Sequence, residues 1–258
     1  MGVISVRQLS KTYGDQIAVN AISFEVPAGQ IVGFLGPNGA GKSTTLRMLT
    51  GIIKPSAGSA IVCGYDVVAE PLEVKRRVGF VPESGAVFES LTGLEYLEMV
   101  AALYGIPALA ARERIKQFIT FFELGFGTLT DKLLGAYSKG MRRKVVITAA
   151  LLHNPSVIFF DEPLDGLDAN AAVGFKALIT TLAREGKTIV YSSHLLDVVE
   201  RVCDRVLIID KGRLIADGAP EQLVAAHGAE SLERLFTQLT GADDLERRAE
   251  DFAKTFKA

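Results

Sequence analysis

Residues 36–44 read Gly-Pro-Asn-Gly-Ala-Gly-Lys-Ser-Thr, and this stretch determines the architecture that we expect around it. It contains the pattern G-x-x-x-x-G-K-[ST], in which a glycine-rich loop joins a strand to a helix. The preceding residues 31–35 are apolar and strand-like, while residues 44–49 favour a helix. The sequence therefore predicts a strand, a tight loop and a helix N-terminus in direct succession.

The residue types in this loop are those that hold a phosphate chain. Glycines let backbone N–H groups converge on an anion without a side chain in the way, and the helix N-terminus adds partial positive charge. Lys42 can reach the β- and γ-phosphates of a nucleotide, and the hydroxyl of Ser43 can ligate Mg²⁺. We therefore expect an α/β fold with a P-loop NTPase core that binds a nucleoside triphosphate and Mg²⁺.

A second phosphate-site element, residues 157–162, reads Val-Ile-Phe-Phe-Asp-Glu. A buried strand that ends in an acid places that acid at the carboxyl edge of the sheet, where ligands bind in open α/β folds. Asp161 is suited to hold Mg²⁺, and Glu162 is suited to polarise an attacking water as a general base. The alternative for an isolated match is a strand that ends in a solvated acidic turn, and the phosphate loop in the same chain argues against it.

The composition excludes several classes of protein. With 258 residues, 48% of them hydrophobic, the chain is long enough for one or two domains with a sizeable core. A net charge of −2 favours neither nucleic acid nor a membrane surface as a partner. Cys63 and Cys203 lack metal-ligand spacing, and no apolar run approaches the ~20 residues that span a bilayer. We expect no signal peptide and no direct membrane insertion, so membrane association would require a partner.

The order of sequence patterns predicts how the chain is organised. Alternating β segments occupy the start of the chain and return near residues 59–63, which predicts an N-terminal antiparallel β subdomain. Helical spacing dominates at about 90–152, which predicts an inserted helical lobe. Strands and helices then alternate, which predicts a mostly parallel sheet. We assign residues 1–228 to this domain and residues 229–258 to a C-terminal helical tail.

Between the two phosphate-site elements, residues 137–144 read Tyr-Ser-Lys-Gly-Met-Arg-Arg-Lys at the start of a predicted helix. This segment resembles the signature motif of ABC-type ATPases, whose usual form is Leu-Ser-Gly-Gly-Gln. The resemblance covers nearly the whole chain in the family's order, and residues 164–168 match the family's D-loop. It implies that residues 1–228 form an ABC-type ATPase domain that binds ATP and Mg²⁺.

The resemblance implies a role for each matched position. It assigns ATP binding to Tyr13, which would stack on adenine, and to Gly36, Asn38, Gly39, Gly41, Lys42, Ser43, Thr44, Ser138 and Gly140. It assigns Mg²⁺ binding to Ser43, Asp161 and Glu83, of which Glu83 stands at the family's Q-loop position. It assigns catalysis to Glu162, Lys42 and His194, of which His194 matches the switch histidine that contacts the γ-phosphate.

Simpler interpretations compete at several of these positions. Tyr13 is also explained as a surface aromatic, Ser138 as a helix N-cap and His194 as a core histidine. The basic run at residues 142–144 (Arg-Arg-Lys) is interpreted as the solvated face of the signature helix.

Three positions depart from the family's usual sequence. Glu83 stands where glutamine is most frequent, Lys139 replaces a signature glycine and Met141 replaces the signature glutamine. Lys139 either adds positive charge near the nucleotide or points to solvent. The glutamate at the Q-loop position resembles sequences of the drug- and sodium-exporter branch of ABC transporters. Residues 232–236 also resemble that branch.

The resemblance further implies a subunit that works in pairs on a membrane. Two chains, identical or homologous, would meet head to tail, so that the signature of one covers the ATP held by the other. An integral membrane permease would be the other partner, and the subunit would sit on the cytoplasmic face of the cell membrane. The alternative is a soluble ABC-type mechanochemical ATPase acting on ribosomes or DNA. Such proteins usually carry tandem ATPase units, coiled coils or zinc modules, and the sequence contains none of these.

Overall fold

Two β-sheets form the framework of the molecule. The computed structural model describes residues 2–193, 196–241, 252, 254 and 256. The strands are β1 Ile4–Tyr13, β2 Gln16–Val26, β3 Ile31–Leu35, β4 Ala57–Val62, β5 Tyr65–Asp66, β6 Val78–Val81, β7 Val157–Asp161, β8 Thr188–Ser192, β9 Arg205–Asp210 and β10 Arg213–Gly218. The helices are α1 Lys42–Leu49, α2 Pro71–Arg77, α3 Gly93–Leu103, α4 Ala108–Phe121, α5 Phe126–Asp131, α6 Lys139–Leu151, α7 Ala169–Arg184, α8 Leu196–Val202, α9 Pro220–Ala226 and α10 Leu232–Thr240.

The larger sheet has six strands in the order β10-β9-β3-β8-β7-β6. All neighbouring pairs are parallel except β10 with β9. Every residue of β3, β7 and β8 is buried, as expected for strands that are covered on both faces. Because parallel strands share one carboxyl edge, the loops after β3, β6, β7 and β8 all leave the sheet on the same side.

The smaller sheet is the N-terminal antiparallel subdomain, with strand order β2-β1-β4-β5. It packs its apolar face on α1 and on one face of the larger sheet, where the rings of Phe24 and Phe34 lie 6.2 Å apart. Strand β1 is longer than the alternation at residues 3–6 predicts, because register shifts between Val6 and Thr12 break the alternation while pairing with β2 continues. The predicted fold, with its mostly parallel sheet and N-terminal antiparallel subdomain, is confirmed.

Helices α3 to α6 form the predicted helical lobe between β6 and β7. Thr92 and Glu95 cap α3 reciprocally, with the Glu95 N–H donating to Thr92 Oγ1 at 3.2 Å and the Thr92 N–H donating to Glu95 Oε2 at 2.8 Å. The lobe shares its core with the larger sheet, because Leu97 and Ile115 belong to the same buried cluster as Phe160 of β7. Buried side chains therefore pack continuously from the helical lobe to the larger sheet.

The C-terminal segment also packs against this core. Helix α10 begins after the N-cap Ser231, whose hydroxyl accepts from the Arg234 N–H, and ends at Gly241 in the left-handed conformation. Leu232 and Leu235 are fully buried in the same cluster that fills the lobe. In the part of the chain that the structure describes, no helix is both long enough and apolar enough to cross a bilayer.

Candidate nucleotide-binding and hydrolysis site

A cleft of about 390 Å³ opens at the carboxyl edge of the larger sheet. Segments that are far apart in sequence line it, namely the β1–β2 hairpin, the loop after β3, the loop after β6 and the end of β7. The lining residues are Tyr13, Gln16, Ala18, Asn38, Gly39, Ala40, Gly41, Lys42, Ser43, Thr44, Glu83, Asp161 and Glu162. The cleft thus contains most of the residues predicted for the site, and it adds Gln16 and Ala18, which carry no motif signal.

The glycines of the phosphate loop are required by its geometry. A Cβ atom on Gly36 would lie 2.3 Å from the Ile209 carbonyl oxygen. Gly41 has a φ of +108°, and a Cβ atom there would lie 2.5 Å from the Ala18 carbonyl oxygen. The loop therefore passes so close to neighbouring backbone that side chains at these two positions would displace it.

Helix α1 points an open N-terminus into the cleft. It begins at Lys42 after Gly41, no described side chain caps it, and its first turn contains no acidic residue. Its first N–H groups have no partner within the helix and carry partial positive charge. Such a helix end, with glycine-rich backbone before it, is suited to bind phosphate.

Lys42 lies beneath the loop rather than in solvent. Its side chain is 7% exposed, and Nζ donates to the carbonyl oxygens of Gly36 at 2.6 Å and Pro37 at 3.2 Å. Burial lowers the pKa of the amine, while the carboxylates of Glu162, Asp161 and Glu83 act in the opposite direction. Lys42 is therefore a cation held by weak carbonyl partners beside a cleft, where phosphate oxygens would bind it more strongly.

Asp161 is the group that best fits a bound cation. It is 1% exposed at the end of β7, and neither of its carboxylate oxygens has a hydrogen-bond partner among the described residues. A buried carboxylate without a partner is costly, and a metal ion is one way to offset that cost. No group of three His, Cys, Asp or Glu residues in the described part of the chain forms a metal site by itself. An ion here would need the Ser43 hydroxyl and phosphate oxygens as further ligands, which fits Mg²⁺.

Glu162 is held in an unusual backbone conformation. Its φ is +49°, in the left-handed region that non-glycine residues rarely adopt. Its N–H donates to the Ser192 carbonyl oxygen of β8 at 3.0 Å. Strained residues of this kind cluster at active sites, where neighbouring structure fixes them. Here the strain turns the chain directly after the strand and keeps the carboxylate at the cleft.

The signature motif lies away from the cleft of its own chain. Ser138 is the N-cap of α6, accepting from the Met141 N–H at 3.2 Å, so this simpler role is present as well. Gly140 packs on the D-loop, because a Cβ atom there would lie 2.5 Å from the Gly166 carbonyl oxygen. Neither Ser138 nor Gly140 is among the described residues that line the cleft. Lys139 points to solvent rather than into the cleft, since its side chain is 64% exposed and its Nζ pairs with Asp165 at 2.6 Å.

The interpretation of residues 142–144 as one solvated face is wrong. Arg143 is 2% exposed, and Lys144 is largely buried beside Asp168, with Nζ and Oδ2 3.3 Å apart. Arg142 is more open and pairs with Glu89 at 3.2 Å. Consecutive helix positions point about 100° apart, so three in a row cannot share one face. Ile147, one turn after Arg143 on the same face of α6, is also buried, and its apolar side chain was the sequence signal that could have indicated the burial of Arg143.

Of the predicted site residues Tyr13 and His194, the structure describes only Tyr13. Tyr13 is 49% exposed on the rim of the cleft, with Lys11 Nζ 5.1 Å from its ring centroid, so it is both a surface aromatic and a cleft residue. His194 lies outside the described residues, so its predicted role stays a prediction.

Known proteins resemble this chain in sequence and in fold. The ABC transporter family profile matches residues 19–165. The chain is 40% identical over 229 residues to the daunorubicin/doxorubicin resistance ATP-binding protein DrrA of Streptomyces peucetius, which covers 89% of this chain and 69% of that protein.

Two solved structures are also similar. One is an ATP-binding subunit of an ABC transporter, with 31% identity, a TM-score of 0.85, and coverage of 92% of this chain and 98% of the other. The second is the dimeric bacterial ABC transporter cassette MJ0796, with 25% identity, a TM-score of 0.78, and coverage of 84% and 98%. Since the family profile spans more than half of the chain, the chain belongs to the ABC transporter family, as an ATP-binding subunit whose ATP hydrolysis powers transport.

Proposed function

We propose that this subunit powers an exporter by pairing head to tail with a second copy or a homologous subunit over two ATP molecules. The observation that carries the proposal is the division of the motifs. The phosphate loop, Glu83, Asp161 and Glu162 line one cleft, whereas Ser138 and Gly140 lie elsewhere on the same chain. A signature that cannot reach its own nucleotide is available to cover that of a partner.

The ATP site uses the residues of the cleft together with the partner's signature. Tyr13 stacks on the adenine, and the phosphates lie along Gly36, Asn38, Gly39, Gly41, Lys42, Ser43 and Thr44. Ser43, Asp161 and Glu83 would hold Mg²⁺, which would supply positive charge beside the phosphates. Glu162 accepts a proton from the attacking water, Lys42 stabilises phosphate charge, and His194 contacts the γ-phosphate.

Pairing depends on the γ-phosphate because both halves of the composite site contact it. Ser138 and the N-terminus of α6 supply a hydroxyl and backbone N–H groups to the far side of that phosphate. Their binding favours the closed pair over separate subunits, and hydrolysis removes this preference. The D-loop acids Asp165 and Asp168 then lie at the seam between the two chains.

An apolar groove beside Glu83 is the proposed docking surface for the permease. The α3 groove has a volume of about 330 Å³ and is lined by Thr50, Ile52, Lys75, Val78, Phe80, Pro82, Ala86, Tyr96, Val100, Leu103, Tyr104, Val146, Ala149, Ala150 and His153. Leu103 is 78% exposed and Ile52 52% exposed. Exposed apolar side chains around a groove are typical of interaction sites. A permease bound here would hold residues 1–228 on the inner face of the membrane and contact the Q-loop directly.

The docking proposal predicts that the glutamate substitution Leu103→Glu prevents membrane association. Where a neighbouring gene encodes a multi-span membrane protein, the subunit is co-expressed with it, and detergent-solubilised membranes are purified through that protein. We expect the wild-type subunit to co-purify and Leu103→Glu to be depleted at least ~tenfold, because a charge would be buried in the apolar groove. The matched control is Leu109→Glu, since Leu109 is 77% exposed on α4 outside the groove. Association of the wild type with ribosomes or DNA instead would support the soluble alternative.

Replacement of Glu83 by glutamine is expected to change the coupling of ATP hydrolysis to the permease and to leave ATP binding nearly unchanged. The Glu83 side chain is exposed on the cleft wall, and its carbonyl oxygen, which the substitution retains, accepts from Arg143. We expect the Kd for Mg-ATP to stay within about twofold, while permease-stimulated hydrolysis changes, since one negative charge near the γ-phosphate is removed. Calorimetry measures the first quantity and hydrolysis in reconstituted vesicles the second. Glu89→Gln, outside the cleft, is the control. A large loss of ATP affinity in Glu83→Gln would show that the carboxylate is needed for binding, and would contradict the proposed role of Glu83 in coupling.

A further inference from the structure

Arg143 joins two loops of the site through a buried guanidinium. Its Nη1 donates to the Pro82 carbonyl oxygen at 2.7 Å and its Nη2 to the Glu83 carbonyl oxygen at 2.9 Å. Its Nε donates to the Asp165 carbonyl oxygen at 3.4 Å. The side chain stands on the signature helix α6, so one residue connects this helix to the Q-loop after β6 and to the D-loop after β7.

The charges around Arg143 explain why a cation is tolerated there. Burial lowers the pKa of the guanidinium, and the carboxylates of Asp165, Asp161, Glu83 and Glu162 oppose that effect. An arginine remains protonated under these conditions. Buried Arg143 therefore supplies fixed positive charge near these acids, in addition to the charge of Lys42.

Arginine is also the residue type that this geometry requires. Its planar fork directs several N–H groups along fixed directions and can satisfy carbonyl oxygens on two loops at once. A lysine carries the same charge but is a point donor on a flexible stem. Methionine has comparable length and no donor, so it would remove the Arg143 hydrogen bond from three backbone carbonyl oxygens, of which that of Pro82 also accepts from the Gly85 N–H.

The contacts of Pro82 extend this connection to the surface. Pro82 lines the α3 groove, and its carbonyl oxygen accepts from Arg143. On the other side Asp165 is held twice by α6, through its carbonyl oxygen by Arg143 and through its carboxylate by Lys139. A chain of direct contacts thus runs from the groove wall through Arg143 to the D-loop.

We propose that Arg143 is a positioning residue that holds the Q-loop and the D-loop in one arrangement relative to the signature helix, and that ATP-driven pairing of two chains depends on it. The inference rests on the proposed composite site and deepens it. Arg143 touches no nucleotide atom in this scheme. It keeps the D-loop and α6 in a fixed relative position, so that both contact the partner chain together. It also transmits displacement of the α3 groove wall to the D-loop and α6.

The test compares Arg143→Met and Arg143→Lys with a matched control, Arg114→Met. Arg114 also donates to a backbone carbonyl oxygen, that of Leu152 at 2.6 Å, but it lies on α4 and contacts neither loop. Each change is made in the wild type to measure kcat and KM, and in the Glu162→Gln protein to measure ATP-driven pairing by sedimentation velocity. Circular dichroism and thermal unfolding confirm that each variant is folded.

We expect Arg143→Met to raise the dissociation constant of the ATP-bound pair, and to lower kcat, at least ~tenfold each, because charge-assisted hydrogen bonds are lost. The Kd for Mg-ATP and the KM should stay within about twofold, since the cleft residues are unchanged. Arg143→Lys should remain impaired, since it retains the charge but not the fork. Arg114→Met should match its parent in both kcat and pairing.

A purely structural role would lower the unfolding temperature but leave pairing of the folded protein intact. The proposal is overturned if folded Arg143→Met pairs and turns over within about twofold of its parent. Should that variant fail to fold, the same outcome for Arg143→Lys overturns it. If the Glu162→Gln parent itself fails to bind ATP or to pair, the proposed function fails together with this inference, whereas normal pairing of parent and variant alike rejects this inference alone.

Discussion

Replacement of Lys42 by alanine is expected to abolish ATP hydrolysis and to weaken ATP binding. Lys42 Nζ lies 2.6 Å from the Gly36 carbonyl oxygen, buried at the base of the phosphate loop. The substitution removes the only cationic side chain that lines the described cleft and leaves Asp161, Glu162 and Glu83 to repel the phosphates. Loss of a preorganised charge at the reacting group lowers kcat by at least ~10²-fold in comparable sites.

Steady-state hydrolysis with Mg-ATP and calorimetric titration of the nucleotide measure the two effects. Lys132→Ala is the control, since Lys132 is exposed in the helical lobe and does not line the cleft. A folded Lys42→Ala protein with wild-type turnover would reject the assignment of Lys42 as the phosphate-binding cation.

Replacement of Glu162 by glutamine should trap the ATP-bound pair. The amide keeps the shape of the side chain but cannot accept the proton of the attacking water, so hydrolysis falls by ~10²–10⁴-fold. ATP binding should persist, because Lys42, the phosphate loop and Asp161 are unchanged. The γ-phosphate then remains in place, and the preference for the closed pair remains with it.

Sedimentation velocity with Mg-ATP should show a dimer for Glu162→Gln and a return to monomer when ATP is replaced by ADP. The surface change Glu185→Gln at the end of α7 controls for loss of an acid. Addition of Ser138→Arg to Glu162→Gln should abolish pairing without abolishing ATP binding, since the signature would then obstruct the partner's nucleotide. A Glu162→Gln protein that stays monomeric with bound ATP would count against the composite site.

The parts of the site that the sequence predicted are those whose chemistry is local. Gly36, Gly41 and Lys42 stand in one short loop, so their spacing alone indicates phosphate binding. The four apolar residues before Asp161 predicted both the buried strand and the position of its terminal acid at the carboxyl edge of the sheet. The capping residue Ser138 was identifiable too, because an N-cap depends on its own turn of helix.

Other features depend on residues that are distant in sequence. Arg143 belongs to a basic run that gave no hint of its partners at Pro82, Glu83 and Asp165, which come from two other loops. Lys139 is exposed, which is one of the two options that the sequence left open, but its ion pair with Asp165 had no sequence signal. The packing of α10 into the main core likewise follows from contacts with the distant helix α8.

The sequence by itself determined the phosphate loop, the acidic strand end and the family, because backbone conformation and residue chemistry over a few consecutive positions suffice for each. Only the tertiary structure decided that these elements share one cleft while the signature faces elsewhere, and that Arg143 is buried between two loops. The physical reason is that packing across the whole core sets both the strand order of the parallel sheet and the rotation of α6 about its axis. A pattern of a few consecutive residues does not contain this information.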